Sequence, residues 1–131
     1  MKTYLKTPTS TMTTSQIRRV VGETIAWCQE NLGTKSYMVD YSVRTLGDKC
    51  IPAYGRYDST IRTILVYRNY SPTIKCVVRA VLHEYTHYLQ NLRWYNHTLS
   101  KVGYDKHPQE IEARESETLY SICWNDIKTK L

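Results

Sequence analysis

The five residues His83-Glu84-Tyr85-Thr86-His87 are the part of this chain whose types and spacing could do chemistry. On an α-helix, residues four apart lie one turn apart on the same face, so the two imidazoles can reach one ion. Glu84, between them, projects beside that ion and can take a proton from a water held there. Neutral imidazoles suit zinc, which lowers the pKa of its water to roughly 7 and so supplies a nucleophile at physiological pH. The residues therefore predict a Zn2+ cofactor, with His83 and His87 as ligands and Glu84 as general base.

These side chains need a helix that presents them away from the core. Ser71-Pro72 predicts a helix start, a capping Ser followed by Pro at the first helical position. Ile74, Val77, Val78, Val81, Leu82, Tyr85 and Leu89 then follow at helical spacing. At about 100° per residue, His83 and His87 point nearly opposite that apolar stripe, into a cleft or solvent. An exposed polar helix face is the plain alternative, and in that case the two histidines bind nothing.

With these residues the sequence resembles the H-E-x-x-H metallopeptidases whose third ligand is a Glu on a later helix, the gluzincin-like arrangement. Glu110-Ile111-Glu112-Ala113 is similar to the E-x-x-A pattern of families with short peptidase domains. The order of elements from about Ser15 onward is similar to a minimal zincin core. The resemblance implies zinc-dependent peptide hydrolysis, by an endopeptidase rather than an exopeptidase, with a protein or peptide as substrate. It also implies that a downstream glutamate completes the metal site. Glu110 matches the first position of E-x-x-A and shares a polar helix face with Arg114, Glu117 and Ser121. Glu112 is the alternative, near the middle of the apolar arc, where a buried carboxylate needs a strong partner.

The chain departs from related patterns in two places. Asn91 to Trp94 contains neither the Gly nor the His of a metzincin. Arg114 stands where some related families carry an Asp four residues after the ligand Glu. His97 and His107 read as loop or cap residues. The segment Ile61 to Tyr67 is in the position of the strand that lines a zincin cleft. As an edge strand it could pair with an extended substrate by β-addition; an ordinary sheet strand is the alternative. Of the 12 tyrosines none is singled out to stabilise an oxyanion, although Tyr95 and Tyr104 precede the Glu-bearing helix.

The rest of the chain must position these groups. Its 131 residues predict one domain, residues 15–131, after a flexible or loosely docked N-terminal segment, residues 1–14. Ser15 predicts the cap of a helix carrying Ile17, Val20, Val21, Ile25, Cys28 and Leu32, ended by Gly33. Alternation over Tyr37, Val39, Tyr41 and Val43, a short piece from Tyr54 to Tyr57, and Ile61 to Tyr67 predict a small, mostly antiparallel sheet. Tyr95 to Lys106 reads as a loop. His107-Pro108 opens a last helix towards Lys128, with Ile111, Leu119, Ile122, Cys123 and Ile127 on its apolar side. The fold class expected is α+β, a minimal zincin-like fold.

Composition narrows the setting. Hydrophobic residues at 41% and charged residues at 23% are ordinary globular usage. No apolar run approaches a membrane span, and the Thr-rich start does not read as a secretory signal, so a cytoplasmic protein is expected with no membrane partner. The four cysteines are scattered and form no C-x-x-C, which predicts reduced thiols. The net charge of +6 favours acidic partners, nucleic acid among them, and raises a nucleic-acid-associated protease as an alternative. A second alternative is a metal-binding regulatory or interaction module without proteolysis.

Overall fold

Apolar periodicity sets the helices, and the computed structural model describes residues 3–131. Helix α1, Thr14–Leu32, starts on a capping box in which Thr13 and Gln16 satisfy each other's backbone N–H groups. It buries Ile17, Val20, Val21, Ile25 and Cys28 and stops at Gly33, whose φ of 92° suits glycine. The cap lies two residues earlier than the expected Ser15, because Gln16 answers Thr13 and not Ser15.

Three strands follow: β1 (Asp40–Arg44), β2 (Gly55–Asp58) and β3 (Thr63–Tyr67). The sheet order is β1-β3-β2, with β3 parallel to β1 and antiparallel to β2. The sheet is therefore mixed and not mostly antiparallel. A parallel pair needs a crossover of a dozen or more residues. The chain between Arg44 and Thr63 supplies it, and spends part of that length on β2 at the far edge. The segment Ile61 to Tyr67 thus holds the central strand, not an edge. All five residues of β3 are buried, and both of its sides are already paired.

Helix α2, Ile74–Leu89, crosses the core. Its apolar residues Ile74, Val77, Val78, Val81, Leu82, Tyr85 and Tyr88 are buried together with Ile17, Val21, Ile64 and Val66. The helix is capped by Thr73, two residues beyond the expected Ser71. Residues 71–73 are engaged otherwise: Thr9 N–H donates to the Pro72 carbonyl at 3.0 Å, and Pro8 and Thr73 form an antiparallel bridge. The N-terminal segment is docked there rather than loose. Ile74 and Lys75 N–H groups donate to Thr7 and Leu5 carbonyls, and Arg68 ties the Thr9 and Met12 carbonyls. Residues 1 and 2 lie outside the described residues.

The C-terminal third is more broken than its sequence suggests. Helix α3 (Tyr95–Val102) occupies the expected loop, and α4 (Pro108–Ser116) is separated from α5 (Tyr120–Ile127) by a 3-10 turn at Glu117–Leu119. That tighter turn rotates the faces of α4 and α5 relative to one another. Cys123, Trp124 and Ile127 are buried, whereas Ile111 and Ile122 are exposed, so the single apolar side expected over both does not exist. All four cysteines are free thiols. No helix among the described residues is long and apolar enough to cross a membrane.

Candidate metal centre

Helix α2 buries one stripe and turns its opposite side, His83, Glu84 and His87, towards β2 and α4. Each of these three offers one ligand atom, and the three atoms lie within 4.8 Å of one another. The Glu110 carboxylate closes the set from α4. Its Oε1 lies 3.0 Å from His83 Nε2 and 3.1 Å from His87 Nε2. Pro108 at the start of α4, with His107 as its cap, sets the helix so that Glu110 in its first turn faces α2.

The far side of each imidazole is also held. His83 Nδ1 lies 2.8 Å from Glu117 Oε2, and Glu117 in turn pairs with Arg79 at 3.1 Å. His87 Nδ1 lies 2.8 Å from Gln90 Oε1. The Gln90 amide is oriented by its own donors, which go to the Gln109 carbonyl and Glu112 Oε1, both at 2.9 Å. With Nδ1–H given to an oxygen, Nε2 is the ring atom left for an ion, and the ring is fixed in direction. Tyr95 Oη donates to Glu110 Oε2. The donor set of two Nε2 atoms and a carboxylate, with both rings anchored from behind, fits a zinc ion.

Glu84 sits differently. It is 8% exposed, its Oε1 accepts the Tyr57 backbone N–H at 2.9 Å, and its Oε2 is 3.9 Å from His83 Nε2. Burial pushes its carboxyl above the usual range, opposed by the nearby His83 and His87. Burial acts in the same sense on Glu110, but hydrogen bonds from His83, His87 and Tyr95 outweigh it and hold that carboxyl well below its ordinary range. For His83, burial lowers the pKa and the hydrogen bonds to Glu110 and Glu117 reverse this, pushing it up to about 10. His87 is raised for the same reasons, with Glu110 as its main partner. The two carboxylates of the site thus differ in environment: burial raises the pKa of Glu84, and hydrogen bonds hold that of Glu110 down.

Strand β2, an edge of the sheet, borders the centre, whereas the segment Ile61 to Tyr67 expected at a cleft edge holds the central strand β3. Tyr67 N–H donates to the Tyr54 carbonyl at 2.9 Å, in register with the pairs Gly55–Val66 and Tyr57–Ile64. Tyr54, Arg56 and Asp58 therefore turn their backbone groups to β3, and Gly55 and Tyr57 turn theirs outwards. Gly55 lets β2 lie close: a Cβ there would sit 2.7 Å from the Leu65 carbonyl oxygen and 3.5 Å from Glu84 Cγ. A cleft of about 770 Å3 opens at this end, lined among others by Tyr54, Gly55, His83, Glu84, Tyr104 and Arg114.

Of the residues singled out in the sequence, His83, Glu84, His87 and Glu110 come together. Glu112 does not: it is exposed and binds Gln90 instead, because α4 buries only Glu110 and Ala113. His97 is exposed on α3, and His107 caps α4, its Nδ1 accepting from Gln109 N–H at 3.1 Å. Sequence reasoning missed the supports Glu117, Gln90 and Tyr95. Gln90 lies one helical turn after His87, and Glu117 two turns after Glu110, so spacing could have suggested both; Tyr95 has no such signal. Compared with protein-family models, curated proteins and solved structures, the chain matches none.

Proposed function

We propose that this protein is a zinc-dependent peptidase, with the ion held by His83 Nε2, His87 Nε2 and the Glu110 carboxylate, and Glu84 as general base. The observation that carries the reading is the aim of both imidazoles: Nε2 of each converges on one Glu110 oxygen while Nδ1 of each is occupied from behind. A zinc ion held by these residues would supply Lewis acidity and a water ionisable near neutral pH. Glu84 takes the proton of the attacking water and returns it to the leaving amine, a role that suits a buried carboxyl with a raised pKa. The Tyr57 N–H keeps its second oxygen in place. The outward N–H and carbonyl of Gly55 and the outward carbonyl of Tyr57 give an extended peptide a strand edge to pair with, next to the Tyr57 N–H that Glu84 already holds.

Elemental analysis of metal-replete protein tests the reading. Wild type is expected to hold about one zinc per chain, lost in His83→Ala and Glu110→Ala and kept in Glu112→Ala. Glu84→Gln is expected to keep its zinc and lose peptide cleavage. Wild type without zinc would overturn the site. A zinc-loaded wild type that cleaves no peptide would leave a metal-binding module without proteolysis.

A further inference from the structure

The charges that line the cleft are matched, with one exception. Glu117 is answered by Arg79 at 3.1 Å and His83 at 2.8 Å. Glu84 lies among His83, His87 and the Tyr57 N–H. Arg114 has no carboxylate within ion-pair distance among the described residues. Its Nη2 donates to the Asp105 backbone carbonyl at 2.6 Å, and its guanidinium lies 5.8 Å from the Tyr104 ring. Arg114 is half-buried and lines the same cleft as His83 and Glu84. One helical turn beyond Glu110, it is carried by the same rigid element as a residue of the candidate centre.

A guanidinium presents a fork of N–H donors that fits a carboxylate, and one backbone carbonyl uses only part of it. The walls beside it are apolar and aromatic, from Ile51, Tyr54, Tyr70 and Tyr104. Such walls strengthen the attraction of a lone cation for an anion that enters the cleft. The net charge of +6 works in the same direction at long range. The matched pair Glu117–Arg79 means that no acidic residue of the cleft is left to compete.

We propose that Arg114 is a specificity-determining residue that selects peptides carrying an aspartate or glutamate beside the scissile bond, at the Gly55 end of β2. The inference rests on the peptidase reading given above. Arg114 acts on substrate choice alone and has no part in holding the ion.

The test uses paired peptides that differ only by Glu or Gln at each residue flanking the cleaved bond. Zinc-loaded wild type is expected to favour Glu at one of these positions by about tenfold in kcat/KM. Arg114→Gln should abolish the preference, Arg114→Lys should keep most of it, and Arg114→Glu should turn it towards a Lys-bearing peptide. Zinc content and thermal stability of each variant show that site and fold persist. The same pairs are titrated by fluorescence anisotropy against zinc-loaded Glu84→Gln, with and without the change at position 114. Cleavage without charge preference, or a preference that survives Arg114→Gln, overturns the inference and leaves the peptidase reading standing. Glu-selective binding that depends on Arg114 but is followed by no cleavage in wild type overturns the peptidase reading and keeps the anion site. Neither cleavage nor selective binding overturns both.

Discussion

His83 faces a carboxylate oxygen at each ring nitrogen, Glu117 at Nδ1 and Glu110 at Nε2. Carboxylates only accept hydrogen bonds, so the metal-free ring donates twice and is an imidazolium. His87 is set the same way, between Glu110 and the Gln90 amide oxygen. An ion at Nε2 must displace those protons, whereas the Nδ1 protons stay where they are. The raised pKa values give the sign: His83 keeps its extra proton up to about pH 10, so at neutral pH zinc competes with protons, and raising the pH favours zinc. Apparent zinc affinity is expected to rise between pH 6 and 8 by about tenfold per pH unit for each proton displaced. Calorimetry in buffers of different ionisation enthalpy would count the protons released. A binding enthalpy independent of buffer would show that the metal-free histidines are already neutral.

At the scale of elements, β2 and α2 are locked through Gly55. The absent Cβ leaves room for the Leu65 carbonyl on one side and the Glu84 side chain on the other. Gly55→Ala must shift the β2–β3 pairing, because the nearest obstacle is the backbone carbonyl of Leu65 on β3. We expect a loss of about 1–3 kcal/mol in denaturant unfolding, together with reduced zinc retention as Glu84 and His83 shift. Unchanged stability would mean that β2 yields freely. The elements of the core were legible because each had an apolar rhythm. Helix α1 and helix α2 show it in Ile17 to Cys28 and Ile74 to Tyr85, and their faces were read correctly, including the turn of His83 and His87 away from the core. Helix α3 buries nothing, so no rhythm announced it. The 3-10 turn at Glu117–Leu119 broke the expected last helix, and with it the reading of Ile111, Ile122 and Glu112 as core-facing. The central place of β3 follows from a parallel pairing with β1 that alternation within single strands cannot express. The candidate site was legible in its ligand types because H-E-x-x-H is local. Its supports were not, because Glu117, Gln90 and Tyr95 meet the histidines only through the packing of α3 and α4 on α2.

At the scale of the molecule, the core and the candidate centre occupy opposite sides of α2. The buried cluster joins α1, the sheet, α2 and α5 through Ile17, Val21, Ile64, Val78, Tyr85 and Ile127, none of which touches the cleft. The cleft side has its own ties without an ion: His83 and His87 to Glu110, Tyr95 to Glu110, and Ser116 Oγ to the Leu82 carbonyl at 3.1 Å. Metal removal should therefore weaken the fold without abolishing it. Zinc at a hundred times its Kd would add about 2.7 kcal/mol by binding only the folded state. For a domain of this length that corresponds to a Tm higher by on the order of 10 °C. Calorimetry of the zinc-loaded and chelated protein is expected to give two cooperative transitions separated by that amount, with the same far-ultraviolet circular dichroism before melting. Loss of the helical signal on chelation at 25 °C would mean that the ion organises the core itself. Coincident transitions would mean that the folded protein holds no zinc. Only the expected pair of transitions is compatible with a preformed site on a self-sufficient core, the condition under which Glu84 and Arg114 are already in position when the ion arrives.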